Sequence, residues 1–272
     1  MDQNPKSIAF VGSIPEHYDG GMGELFFEPY AKEMAKRVAA LQPAALLEIA
    51  CGTGRLTNYL SQQLPNASIT ATDLNPPMLE FAKKKFPEMP NVLWEIADAL
   101  ALPYADTSFD AVVVQFGVMF YSDKLQGFKE SFRVLKKGGK FIFATWKGLE
   151  DNAIAITAND VLKPFFPDNP PVFFNIPFSY YDKDQIRLEM TAASFSNIQI
   201  DYVHLDGYNI TAENAARGIL EGSPLINFIN EKGPEKLPAI KEKLAEEIAK
   251  AYGKKDLTIP LGALIVSGER VE

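Results

Sequence analysis

The stretch Ala45-Leu46-Leu47-Glu48-Ile49-Ala50-Cys51-Gly52-Thr53-Gly54-Arg55-Leu56-Thr57 reads as a buried strand, a sharp turn and the start of a helix. An apolar run ends in two glycines spaced one apart, and apolar residues then recur at helical spacing. Gly52 and Gly54 let the backbone turn tightly and come close to a ligand. The helix start offers N–H groups to something negative. Glu48 sets this turn apart from a dinucleotide-binding one. A carboxylate at the end of the first strand repels a pyrophosphate and suits a cationic amino group. Thr57 also stands where the G-x-G-x-x-G pattern places its third glycine.

Strand and helix patterns alternate downstream of this unit. Residues 67–72, 91–96, 109–116 and 140–146 read as strands, and 76–86 and 125–135 as helices. Pro76 or Pro77 falls in a first helical turn, where proline is tolerated, and Lys137-Gly138-Gly139 ends a helix. The alternation argues for a doubly wound α/β fold, a parallel sheet with helices on both faces. Upstream, residues 1–23 are glycine-rich and irregular in pattern. Phe27, Tyr30, Ala31, Met34, Val38 and Leu41 then fall on one face of an amphipathic helix.

The rhythm breaks after Trp146. Residues 150–181 hold five prolines and a run of aromatics: Phe165, Phe166, Phe173, Phe174, Phe178, Tyr180 and Tyr181. A helix starts at Asp182 with Gln185 as a capping pair. Residues 196–204 read as a sixth strand and 263–266 as the next. About fifty residues lie between them, more than a loop usually holds. Leu237, Ile240, Leu244 and Ile248 give that insert its own helix, ending at Gly253. The expected organisation is an N-terminal lid segment and helix over 1–42, then one domain over 43–272 with cap insertions at about 150–181 and 207–258. Both insertions leave from strand carboxyl ends, the edge where open α/β sheets bind ligands.

Composition narrows the function classes. Hydrophobic residues at 47% and charged residues at 23% suit a globular chain. The net charge of -8 disfavours a long nucleic-acid footprint. Cys51 is the single cysteine, which fits a reducing compartment. No signal-peptide pattern and no apolar run of roughly 18 residues is present, so a cytoplasmic location is expected. One cysteine and two histidines give no metal cluster of recognised spacing, and no metal is expected.

Asp73 ends the second strand, where an acid meets ribose hydroxyls in nucleotide-binding α/β folds. Its other reading is a cap for the helix at Pro76. Asp98-Ala99 ends the third strand. An acid there accepts from an exocyclic adenine amine and the small neighbour leaves room for the ring; alternatively it is a surface turn.

Taken together, these residues resemble the class I S-adenosylmethionine-dependent methyltransferases, strongly over 43–146 and weakly over the last two strands. The family's acid-x-x-x-Gly-x-Gly motif matches Glu48, Gly52 and Gly54, its ribose acid Asp73, and its adenine acid Asp98. The segments 102–110 and 130–139 are similar to the ubiquinone/menaquinone-biosynthesis-like (methyltransferase type 11) branch. The resemblance implies a Rossmann-like, seven-stranded, mostly parallel sheet with the last strand antiparallel, and helical or irregular cap insertions. It implies S-adenosyl-L-methionine as cofactor. Glu48 and carbonyls near Ala50 and Cys51 would meet its ammonium, and N–H groups around Gly52, Thr53 and Gly54 its carboxylate. Leu74 and Met78 would line the ribose–adenine side, with core packing the alternative for Met78. Gln115 and Phe116 would lie beside the methionine moiety and the acceptor, with core packing the alternative for Phe116. Tyr18 is the lid candidate. Asn75-Pro76-Pro77-Met78 looks like a motif of amine and adenine methyltransferases, but it follows the second strand and lacks the final aromatic. It is read as a helix start.

The expected activity is methyl transfer to a small, apolar or aromatic organic acceptor, on oxygen, nitrogen or carbon. His17 is the one candidate general base, with a solvent-facing lid histidine as its other reading; His204 reads as structural. The aromatics of 165–181 either line the acceptor pocket or form the insertion's own core. A non-catalytic cofactor-binding protein is the alternative. An NAD-dependent oxidoreductase is disfavoured by Glu48 and the missing third glycine.

Overall fold

The computed structural model describes residues 14–208 and 211–271. Its sheet has seven strands in the order β3-β2-β1-β4-β5-β7-β6. These are β1 (Ala45–Ile49), β2 (Ser68–Asp73), β3 (Val92–Ile96), β4 (Phe109–Gln115), β5 (Leu135–Trp146), β6 (Ser196–Tyr208) and β7 (Thr258–Glu269). Strands β1 to β5 pair in parallel, and β7 runs antiparallel to both β5 and β6. The expected doubly wound sheet with an antiparallel last strand is therefore present. β1 lies between β2 and β4, and Leu46, Leu47 and Ile49 are buried. A central strand covered on both faces reads as a continuous apolar run, so Glu48 in its midst is the exception that needs a reason.

The helices are α1 (Ile14–His17), α2 (Glu28–Ala39), α3 (Arg55–Gln63), α4 (Pro76–Lys85), α5 (Lys124–Val134), α6 (Ala153–Leu162), α7 (Lys183–Ala192), α8 (Ala212–Glu221), α9 (Leu225–Lys232) and α10 (Leu237–Tyr252). Pro76 opens α4 after an extended Asn75, the helix start that the sequence implies. Asp182 caps α7 by accepting from the N–H groups of Asp184 and Gln185. The Gln185 side chain donates to Glu189 instead of closing the capping pair.

The structure departs from the sequence reading in four places. Residues 14–23 are helical, not irregular: α1 continues through a wide-wound π-helical segment, Tyr18–Phe27, into α2. Expectations for residues 1–13 lie outside the described residues. β5 begins at Leu135 and passes Gly138 and Gly139 through a register shift against β4, as a bulge allows. β6 and β7 are longer than their apolar runs because they pair with each other from Ser196–Glu269 to Tyr208–Thr258. The insertions hold α6, α8 and α9 besides the expected α10, whose Ile240, Leu244 and Ile248 are buried.

Candidate functional site

Three residues of the turn after β1 adopt left-handed backbone angles: Ala50 (φ 56°), Gly52 (φ 57°) and Gly54 (φ 79°). Ala50 is the costly one, since a Cβ disfavours that region. Gly54 is required twice over, because a Cβ there would also stand 2.9 Å from the Trp94 ring. The turn is pinned from inside. Cys51 donates its N–H to the Thr72 carbonyl (2.8 Å), Gly52 donates to Asp73 Oδ2 (2.9 Å), and Gly54 donates to the Cys51 carbonyl (3.0 Å). This corrects part of the sequence reading. The Gly52 and Gly54 N–H groups are committed within the chain, which leaves Thr53 and the first turn of α3 as donors for an anion.

Glu48 is 1% exposed, and its Oε2 has no hydrogen-bond partner among the described residues. Burial pushes its carboxyl up to about 8, and the Asp73 charge adds to the effect. The Thr57 hydroxyl beside it pulls the other way without meeting hydrogen-bond geometry. Gln115, at the end of β4, donates its Nε2 to the Phe27 carbonyl (3.2 Å). That bond fixes the amide and leaves Oε1 buried without a partner among the described residues. Glu48 and Gln115 line one cavity, whose wall also includes Tyr18, Phe27, Ala50 and Thr53. Arg55 reaches the same wall, but its guanidinium bonds to Glu28 Oε2 (2.8 Å) and the Asp19 carbonyl (2.6 Å). The cavity therefore offers acceptors and asks for a donor-rich, cationic group.

Asp73 ends β2, in register with Ile96, and Asp98 lies two residues past the end of the adjacent β3. Asp73 is buried; besides Gly52, it accepts from the Asn75 N–H (2.8 Å) and side-chain amide (3.1 Å). Burial raises its pKa and these donors oppose the rise. It is thus a turn cap and a sheet-edge acid at once. Asp98 is exposed and accepts from the Leu100 N–H (2.9 Å). Ala99 and Met78 are buried, and Leu74 is 60% exposed at the same sheet edge.

The Tyr18–Phe27 segment covers the glycine turn. Asp19 accepts from the Thr53 hydroxyl (2.8 Å) and from Lys85 Nζ (2.7 Å). Glu28 also accepts from the Tyr59 hydroxyl. Gly23 makes room for Arg55, since a Cβ would lie 2.2 Å from the guanidinium. Gly21 meets Gly218 of α8 so closely that a Cβ on it would lie 2.3 Å from the Gly218 Cα. The sequence reading missed Asp19, Glu28, Arg55 and Lys85. Their one local signal is an acid after Tyr18 and an arginine opening α3; the pairing itself is long-range. His17 does not reach either cavity. Its Nε2 lies 3.6 Å from Glu221 Oε2, and Glu221 also takes Lys241 at 2.6 Å. The general-base reading of His17 is therefore not supported.

A second, aromatic cavity shares Tyr18 and Phe27 with the first. Nine of its fourteen described lining residues are aromatic and none is charged, so no charged side chain of that wall selects what enters. Phe116 (φ 53°) stacks on Trp146 with centroids 3.8 Å apart and planes 8° from parallel. Phe116 thus both packs and lines the cavity. The insertion's aromatics divide. Phe173, Phe174 and Phe178 line the cavity, whereas Phe166 packs on Phe228 and the Tyr180 hydroxyl donates to Glu189.

Residues 47–143 match a family model described as a methyltransferase domain. Over this stretch the chain is similar to that family. The stretch holds the glycine turn, Asp73, Asp98 and Gln115. The chain is 40% identical over 109 residues to the demethylmenaquinone methyltransferase of Chlorobaculum parvum, covering 40% of this chain and 44% of that one. The chain spans about half the length of the curated relatives it matches. The fold extends the likeness beyond the domain. The YcgJ protein of Bacillus subtilis superposes with a TM-score of 0.58 at 18% identity, covering 89% of this chain and 99% of that one. Phosphoethanolamine N-methyltransferase 2 of Haemonchus contortus, solved with S-adenosyl-L-methionine, gives 0.58 at 16% identity, covering 95% and 57%. Among the described residues no helix is long and apolar enough to cross a membrane, and no cluster of His, Cys, Asp or Glu is suited to a metal ion.

Proposed function

We propose that this chain binds S-adenosyl-L-methionine and transfers its methyl group to a small, uncharged, aromatic or apolar acceptor. The observation that carries the reading is the pair of buried, orphaned acceptors, Glu48 Oε2 and Gln115 Oε1, in a cavity that shares Tyr18 and Phe27 with an uncharged aromatic one. An α-ammonium group supplies the donors and the positive charge that Glu48 and Gln115 lack. Asp73 retains acceptor capacity for ribose hydroxyls, because each carboxylate oxygen has two lone-pair sites. Asp98 stands at the sheet edge for an exocyclic amine. When bound, the cofactor supplies an activated methyl group, and the chain supplies alignment and a dry site.

The aromatic wall holds no carboxylate, histidine or lysine. An acceptor whose nucleophile ionises by itself, or needs no deprotonation, fits that wall. Relatives named demethylmenaquinone methyltransferases make hydroxylated quinone-like rings the first compounds to try. The test begins with thermal-shift titration. Stabilisation by S-adenosylhomocysteine, followed by transfer of a labelled methyl group to a neutral aromatic acceptor, is the expected result. Stabilisation by NAD and not by S-adenosylhomocysteine overturns the reading. Cofactor binding with no transfer across a broad panel favours a non-catalytic binding protein.

A further inference from the structure

We propose that the Tyr121 hydroxyl is the hydrogen-bond donor to a ring nitrogen of the nucleobase, an assignment that rests on the cofactor reading above. Tyr121 follows the short turn Val118–Phe120 that leaves the carboxyl end of β4, the ligand edge of the sheet. Its ring lies on the open face of Gly127 in α5; a Cβ there would stand 2.6 Å from Tyr121 Cδ2 and 3.4 Å from Leu100 Cδ2. The ring and Leu100 therefore both lie beside Gly127. The Leu100 N–H in turn holds the Asp98 carboxylate. This packing puts the phenol beside the turn assigned to the base.

The hydroxyl is buried and has no partner among the described residues. A buried hydroxyl in that state is costly and marks a group awaiting a ligand or water. Burial first, then the Asp98 and Asp73 charges, raise its pKa above the ordinary phenol value, so it stays protonated and able to donate. The chemistry is complementary to a purine. Asp73 and Asp98 only accept, and so suit hydroxyl and amine donors. A purine also presents ring nitrogens that accept. Tyr121 supplies the donor that neither acid can.

The experiment is calorimetric titration of wild type and Tyr121→Phe with S-adenosylhomocysteine and with its 1-, 3- and 7-deaza analogues. Loss of one such bond is expected to weaken S-adenosylhomocysteine binding to the variant by about three- to tenfold. One deaza analogue is expected to show that loss with wild type and no further loss with the variant, the signature of a coupled pair. The ligand-free variant is expected to melt at or above the wild-type temperature, because the deleted hydroxyl bonds to no group among the described residues. Equal affinity of both proteins for S-adenosylhomocysteine overturns the Tyr121 assignment alone. So does a loss uncoupled from every ring nitrogen, or a lowered melting temperature. A wild type that does not bind S-adenosylhomocysteine overturns the cofactor reading and this assignment with it.

Discussion

Asp73 Oδ2 accepts the Gly52 N–H at 2.9 Å, so the acid at the end of β2 holds the turn at the end of β1. Its other oxygen accepts from Asn75. Asp73→Asn keeps the shape but turns an NH2 towards one of these donors. The expected cost is about 1–3 kcal/mol of stability, the penalty for a buried donor left unpaired. Affinity for S-adenosylhomocysteine is expected to fall by about tenfold or more, by loss of both the proposed ribose acceptor and the pinned turn. Urea denaturation beside calorimetric titration reads the two effects. A variant with wild-type stability and affinity would show that neither role exists.

Glu48 gives the ligand-free protein a pH signature. Its carboxyl is near 8 in the fold against an ordinary 4.5, with burial the main cause. Between these values the folded state holds a proton that the unfolded state has released. Glu48 therefore contributes stability that is fully present below about 4.5 and lost as pH rises towards about 8. Glu48→Gln is expected to flatten that slope and to stabilise the ligand-free protein at pH 8. A cationic amino ligand needs the ionised acid, so wild-type affinity for S-adenosylhomocysteine should rise between pH 6 and 8, by up to about tenfold per unit. The glutamine variant should bind weakly at every pH. Thermal melts and titrations at stepped pH check both slopes.

Asp19 ties the Tyr18–Phe27 segment to the glycine turn through Thr53 and to α4 through Lys85. Asp19→Ala leaves the ammonium of Lys85 without its partner. Lys85 keeps some exposure, so the expected loss is about 1–3 kcal/mol, below that of a fully buried pair. Faster amide exchange should be confined to Tyr18–Phe27 and the glycine turn. Uniform exchange across the chain would contradict a local clamp.

Phe174 lines the aromatic cavity and belongs to the insertion, away from Glu48 and Asp73. Phe174→Ala is expected to raise KM for the acceptor by about tenfold or more, since a buried aromatic contributes several kcal/mol of contact. Affinity for S-adenosylhomocysteine should stay within about twofold, because Phe174 is not part of the wall around Glu48. Steady-state kinetics and one titration distinguish this from a general loss of fold.

The sequence by itself determined the sheet and the order of its acids. Strand period, glycine turns and helix starts are local, so Glu48, Gly52, Gly54, Asp73 and Asp98 could be placed at strand ends from neighbours alone. Tertiary structure decided what those groups do. Glu48 is buried because the Tyr18–Phe27 segment closes over the carboxyl end of β1, a fact of tertiary packing rather than of residue spacing. Residues 14–23 looked irregular because glycines at 20, 21 and 23 break the local helix signal. They are helical because Gly21 fits against Gly218 and Gly23 against Arg55, contacts made across the chain. The division of the insertion's aromatics between cavity and core follows from which ring meets Trp146 and which meets Phe228. Composition could not separate these, because apolar burial has no direction until the backbone gives it one.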